Sequence, residues 1–168
     1  MISVAFHYTV FDTTLGHIGL IGSSAGLLRV VVGMPKGEMA SLMIDSYPGV
    51  TESLAGFGDL PDRICRYLGG ERITFGDAVD WSGVSAFGRA VLKASRAIPY
   101  SESRSYRWVA SQVGRPHAAR AVGQALARNP VPIVVPCHRV VGSDGRLIGF
   151  TGGLEMKRRL LEMEAASK

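Results

Sequence analysis

Apolar positions in the first third of the chain recur with the short period of strands, and those in the second half fall mostly at helical spacing. Residues 3–11 are rich in Val, Phe, Tyr and Thr and read as a strand. Thr13-Thr14-Leu15-Gly16 reads as a turn. Residues 18–21 and 27–32 read as two further strands joined by Ser23-Ser24-Ala25-Gly26, completing a small antiparallel meander. After Pro35 the pattern predicts a helix over 36–47, stopped by Pro48-Gly49, and then a loop over 50–58. Asp59 is placed to cap a helix with Pro61 in its first turn, running through Ile64, Cys65 and Leu68 to Gly69-Gly70. Cys65 sits among those apolar positions, which favours a buried structural thiol.

Past Asp80-Trp81-Ser82-Gly83 the pattern turns helical. Ser85 caps a predicted helix through Phe87, Val91, Leu92 and residues 94–98, ended by Pro99. Ser105 caps a helix over 106–113. Gly114-Arg115 makes a short turn, and Pro116 suits the first position of a helix over 117–128, which stops because Asn129 precedes Pro130. Helix, tight turn, helix is the outline of a helix-turn-helix, although any helical hairpin fits it. Ala118, Ala119, Ala121, Gly123, Ala125 and Ala127 keep the second helix thin. Such a helix either lies close against a foreign surface or packs tightly on its own neighbours.

Pro130, Pro132 and Pro136 punctuate the next segment. Each fixes its own φ and pushes the preceding residue out of the helical region. The expectation is a stiff, extended strut, anchored by Ile133, Val134 and Val135, that presents Cys137 beside His138. A thiol next to an imidazole can become a nucleophile, because thiolate formation needs a base or a cationic neighbour. Ser143-Asp144-Gly145 reads as a turn, and residues 149–153 as a Gly-rich loop without phosphate-loop spacing. The last helix covers about residues 154–165, with Leu160, Leu161 and Glu164 on one face. A carboxylate on an apolar stripe needs a partner, and Lys157 and His138 are the two candidates.

Charge changes the picture. Residues 1–80 carry 5 Lys/Arg and 9 Asp/Glu, whereas residues 81–168 carry 14 and 5, so a net +5 conceals halves of −4 and +9. Either the basic half binds a polyanion or it is a solvated basic face. The chain has two cysteines, 65 and 137, and no CxxC. That pattern argues for a reducing compartment and against a disulfide or a Cys-rich metal site. No apolar run is long enough to span a bilayer and no secretion signal is read, so a cytoplasmic protein is expected. The fold class expected is α/β (α+β). Residues 1–80 would be an antiparallel-sheet scaffold with helices, and residues 84–168 a mostly helical domain holding the helix-turn-helix and the Cys137 strut.

Residues 98–106, residues 119–123 and the run from Asn129 through Val140, with Gly152-Gly153, Lys157, Leu160-Leu161 and Glu164, together resemble the O6-alkylguanine-DNA alkyltransferases. Pro136-Cys137-His138-Arg139-Val140 is the most specific part. The resemblance covers about residues 84–166 and reaches the first half only in outline. It implies repair of O6-alkylguanine in double-stranded DNA by a single irreversible transfer to Cys137, after the base is rotated out through the minor groove. His138 would draw off the thiol proton through a water, Glu164 would orient His138, and Asn129 would brace the turn. Tyr106 would offer its hydroxyl to guanine N3, and Arg120 would fill the gap left in the stack. The carbonyls of Cys137 and Val140 would accept from the exocyclic amine, and the Thr151 amide would meet O6. Ala119, Gly123, Arg128, Phe150 and Gly152 complete the expected contact set.

Relatives commonly carry Tyr at the place of Phe150 and Ser at that of Thr151. Some bind zinc in the first half. With one cysteine there, no metal is expected, nor any cofactor. A monomer is expected, with cooperative assembly on DNA and action on O4-alkylthymine left open. Two rival readings are a Cys-His hydrolase, which leaves the basic half and the Ala-rich helix unexplained, and a helix-turn-helix regulator or a non-repairing alkyl-damage sensor, the latter counted against by Cys137.

Overall fold

The computed structural model describes residues 5–167. The chain divides into two compact units, residues 1–80 and 81–168.

In the first unit, β1 (His7–Thr13), β2 (Gly16–Ser23) and β3 (Gly26–Val31) form the meander in antiparallel register, with Thr9 opposite Leu20 and Leu20 opposite Val30. Gly16 and Gly26 close the two turns at positive φ, where a side chain would be strained. α1 (Lys36–Ser46) lays Met39 and Met43 on Ile21 and Val31 of the sheet, and all four are buried. A Cβ on Gly19 would come within 2.0 Å of the Met43 terminal methyl, so that glycine lets the helix sit down on the sheet.

Residues 50–58 are more ordered than a loop. β4 (Thr51–Glu52) pairs parallel to β1, giving the order β3-β2-β1-β4, and residues 55–57 make a 3₁₀ turn. The sheet edge offered unpaired backbone groups, and two residues suffice to use them. α2 (Leu60–Leu68) starts at Asp59, but the Asp59 carboxylate does not cap it. It accepts from Arg63 Nε at 3.0 Å instead. Cys65 is half-buried, not buried, and its Sγ lies 3.5 Å from the Asp12 carbonyl. The apolar stripe of α2 is Leu60, Ile64, Tyr67 and Leu68, and Cys65 stands at its edge.

In the second unit, α3 (Ala86–Arg96), α4 (Tyr106–Gln112) and α5 (Ala119–Ala127) pack on one another, and α6 (Leu154–Ala166) closes the core. Ser85 and Ser105 cap α3 and α4, accepting from the amides of Gly88 and Trp108 at 3.0 Å each. β5 (Arg104–Ser105) pairs parallel to β6 (Val140–Val141), which ties the start of α4 to the chain leaving Cys137. Gly114 ends α4 at φ 75°, and Arg115 donates back to the Ala110 carbonyl at 2.9 Å. The second helix of the pair begins later than expected, at Ala119. Residues 116–117 form a turn, so Pro116 is not its first helical residue. Among the described residues, no helix is long and apolar enough to cross a membrane.

Candidate active site

The segment before Cys137 is a tight turn where an extended strut was expected. The Val135 amide donates to the Val131 carbonyl at 2.9 Å, and Ile133 lies at φ 75°. A β-branched residue there is strained, by roughly 1–3 kcal/mol. Two features offset that cost. Residues 131–137 are buried throughout, and Asn129 clamps the turn from inside, its amide donating to the Val135 carbonyl and its oxygen accepting from the Val131 amide, both at 3.0 Å. The prolines stiffen this turn without straightening it, because φ near −65° suits a turn as well as a strand.

Cys137, His138 and Arg139 then form one 3₁₀ turn. Cys137 is 5% exposed and forms part of the floor of a cleft of about 730 Å³. Tyr106 from α4, Ala119, Arg120 and Gly123 from α5, and Ile148 and Phe150 from the following loop line it. Burial pushes the thiol above its ordinary pKa, while a hydrogen bond from Asn129 and the charge of Lys157 pull it down.

Behind the thiol, His138 is fully buried and its Nε2 lies 3.0 Å from Glu164 Oε1. An ionised carboxylate only accepts, so Nε2 carries the proton and Nδ1 is the basic nitrogen. Burial lowers the pKa of His138 despite Glu164, which keeps the imidazole neutral and competent as a base. Burial alone would raise Glu164, but hydrogen bonds from His138 and Arg139 overcome it and hold the carboxyl at about 2.

Of the two candidate partners for Glu164, His138 is the one in contact. Lys157 precedes Glu164 by seven residues, two helical turns or roughly 10 Å along the axis, and faces a different part of the site. Arg139 is the partner that sequence reasoning missed. Its Nε lies 3.1 Å from both carboxylate oxygens, its Nη2 lies 2.6 Å from Oε1, and its Nη1 donates to the Ile98 carbonyl at 2.8 Å. The Ser101 amide also donates to this carboxylate, at 3.3 Å from Oε2. An arginine next to His138 reads as part of a basic run, and only folding shows that it turns inward.

Lys157, the other candidate for Glu164, finds its partners elsewhere. It is 1% exposed, and its ammonium reaches the carbonyls of Val140, Ile148 and Gly149 at 2.7, 3.1 and 3.2 Å. The Val140 carbonyl therefore already has one donor. Tyr106 donates to the Ile148 carbonyl at 2.7 Å, and burial raises its pKa.

The remaining expected residues divide. Ala119, Gly123, Arg120 and Phe150 line the cleft, and Phe150 stands edge-on to the His138 ring with centroids 6.5 Å apart. Arg128 is exposed at the end of α5, and Thr151 and Gly152 lie on the turn before α6, outside the cleft lining. Ala121, Gln124 and Ala127 are exposed, so one side of the thin helix faces solvent and its small residues are not all spent on internal packing. Among the described residues no group of His, Cys, Asp and Glu is arranged to hold a metal.

Residues 86–166 match the DNA-binding domain of the 6-O-methylguanine DNA methyltransferase family. A methylated-DNA–protein-cysteine methyltransferase of Mycobacterium bovis is 39% identical over 158 residues, covering 94% of this chain and 92% of that one. A protein of the same name from Methanosarcina acetivorans is 36% identical over 95% of this chain and 99% of its own length. The crystal structure of Mycobacterium tuberculosis OGT in complex with DNA superposes with a TM-score of 0.83 at 37% identity, over 96% of this chain and 94% of that one. With identity at this level running along nearly the full length of both partners, the protein belongs to the methylated-DNA–protein-cysteine methyltransferase family.

Proposed function

We propose that this protein repairs O6-alkylguanine in duplex DNA by transferring the alkyl group once, irreversibly, to Cys137 Sγ. The observation that carries this reading is a buried thiol at the floor of an apolar cleft, backed by an imidazole whose far nitrogen is held by a buried carboxylate. Nδ1 of His138, through a bridging water, takes the thiol proton. The sulfur then forms a bond to the alkyl carbon as the carbon–O6 bond breaks. The electron pair passes to the purine, which ends as guanine with a proton gained. The product is a thioether. Nothing in a Cys-His-Glu set hydrolyses one, so the protein is spent. Displacement at a saturated carbon builds no tetrahedral oxyanion, so a thiolate and an acid for the leaving base suffice. Tyr106, at the cleft wall, is that donor.

The target carbon lies inside the stack, so the base rotates out into the cleft, at a cost of roughly a few kcal/mol. The solvent-facing small residues of α5 allow that helix to approach a groove closely, and exposed Arg120 is placed beside the cleft to fill the vacated stack. Exposed Arg107, Arg115, Arg128 and Arg146 supply phosphate contacts that read no sequence, which suits damage at any position. In this reading residues 84–168 bind DNA and carry out the transfer, and residues 1–80 are scaffold.

Incubation with a duplex containing O6-methylguanine should raise the intact mass by one methyl per chain, on the peptide holding Cys137. An unmodified folded protein, a gain that persists in Cys137→Ser, or repeated turnover would each overturn the reading.

A further inference from the structure

Three groups at the cleft wall close a triangle. Tyr106 donates its one hydroxyl proton to the Ile148 carbonyl at 2.7 Å, Lys157 donates to the same carbonyl at 3.1 Å, and Lys157 Nζ lies 3.4 Å from the Tyr106 oxygen. The ammonium has three protons and four oxygens within reach, and all four are neutral. The Tyr106 proton is therefore committed to a backbone carbonyl before any base arrives. A phenol that stays there can give nothing to a purine. If it turns away, a carbonyl inside the wall loses a donor, which ordinarily opposes the movement.

We infer that the Ile148 carbonyl is a resting place for the Tyr106 proton, and that Lys157 is the positioning residue that releases it. With Lys157 still donating, the Ile148 carbonyl stays satisfied when the hydroxyl swings to the purine N3. A cation donating to the phenol oxygen also makes its O–H a stronger donor at the moment negative charge builds on the leaving base. The inference rests on the proposed alkyl transfer and assigns a second task to a buried cation whose charge also draws the Cys137 thiol down. Ile148 takes part through its backbone. Its side chain is 53% exposed and folds over Gly142, where an added Cβ would meet Ile148 Cδ1 at 3.3 Å.

The test compares two duplexes, one holding O6-methylguanine and the other O6-methyl-3-deazaguanine, in which a C–H replaces N3. Single-turnover rates are read by intact mass for wild type, Lys157→Met, Tyr106→Phe and the double variant. Lys157→Met should slow reaction with the natural base by about tenfold or more, the worth of a charge-assisted hydrogen bond. On the 3-deaza base the same substitution should cost clearly less, only the part owed to the charge that Lys157 lends the thiol, and adding it to Tyr106→Phe should cost no more than that part on either base. Should Lys157→Met not fold, Lys157→Gln keeps two N–H donors for the carbonyls without the charge, and the same pattern is expected. Equal slowing on both bases, additive losses in the double variant, or a wild type indifferent to N3 would overturn the inference while leaving the transfer intact. No transfer by wild type to the natural base would overturn the transfer reading itself.

Discussion

Replacing Glu164 by Gln should destabilise the protein as well as slow it. The carboxylate is fully buried and receives His138, the Nε–Nη2 edge of the Arg139 guanidinium and the Ser101 amide. Gln keeps one oxygen and turns an NH₂ toward groups that are themselves donors. Arg139, 8% exposed, is left without its counter-charge. Breaking a buried pair from one side costs about 3–5 kcal/mol. The pH dependence supplies a second route to the magnitude. Glu164 sits at about 2 in the fold against an ordinary 4.5, so the folded state favours the ionised form. That stability is fully present above about pH 5 and is lost as pH falls toward 2, and a difference of that size is worth on the order of 3 kcal/mol.

Both tryptophans, Trp81 and Trp108, lie in residues 81–168, so their fluorescence during urea unfolding reports the unit that holds the site. Glu164→Gln should lower the unfolding free energy at pH 7 by about 3–5 kcal/mol, or the melting temperature by roughly 10 °C. The gap to wild type should narrow as pH is lowered from about 5 to 2, because protonation removes from wild type what the substitution removes from the variant. A difference under about 1 kcal/mol at pH 7, or a gap that does not change with pH, would refute the reasoning.

Two further outcomes are expected. Arg120→Ala should slow repair of duplex far more than reaction with free O6-benzylguanine, since only duplex needs the stack filled; single-turnover rates on both substrates decide it, and equal losses would remove Arg120 from base rotation. Asn129→Ala strips two hydrogen bonds from a buried turn and should cost about 2–4 kcal/mol in urea unfolding. It should also raise the pH at which the Cys137 thiolate forms, read from the pH dependence of alkylation rate, because Asn129 helps hold that thiol down against burial.

Much of the architecture could be read along the chain, for reasons of local physics. Ser85 and Ser105 announce helix starts because a hydroxyl satisfies orphan amides wherever the backbone turns helical. The meander of β1 to β3 follows from period-two apolar residues and Gly-containing turns. What escaped was decided at a distance. The strand at Thr51–Glu52 exists because β1 has an open edge. Cys65 is half-buried because the stripe of α2 is narrower than its apolar count suggests. Pro130 to Pro136 read as a strut because each proline restricts one residue, whereas the Asn129 clamp that bends them bridges several.

Cys137, His138 and Glu164 stood out from residue type and spacing alone, since a thiol, an imidazole and a carboxylate on an apolar stripe are each costly to bury without purpose. The inward turn of Arg139 did not, nor did the true partners of Lys157, because a cation in a basic half has no local mark of burial. Which way they point depends on where carbonyl oxygens and the Glu164 carboxylate come to rest once α6 has docked. The chain thus carries its nucleophile in its own order of residues. The charges that tune that nucleophile come together only in three dimensions, because electrostatic partners answer to distance in space and not to separation along the backbone.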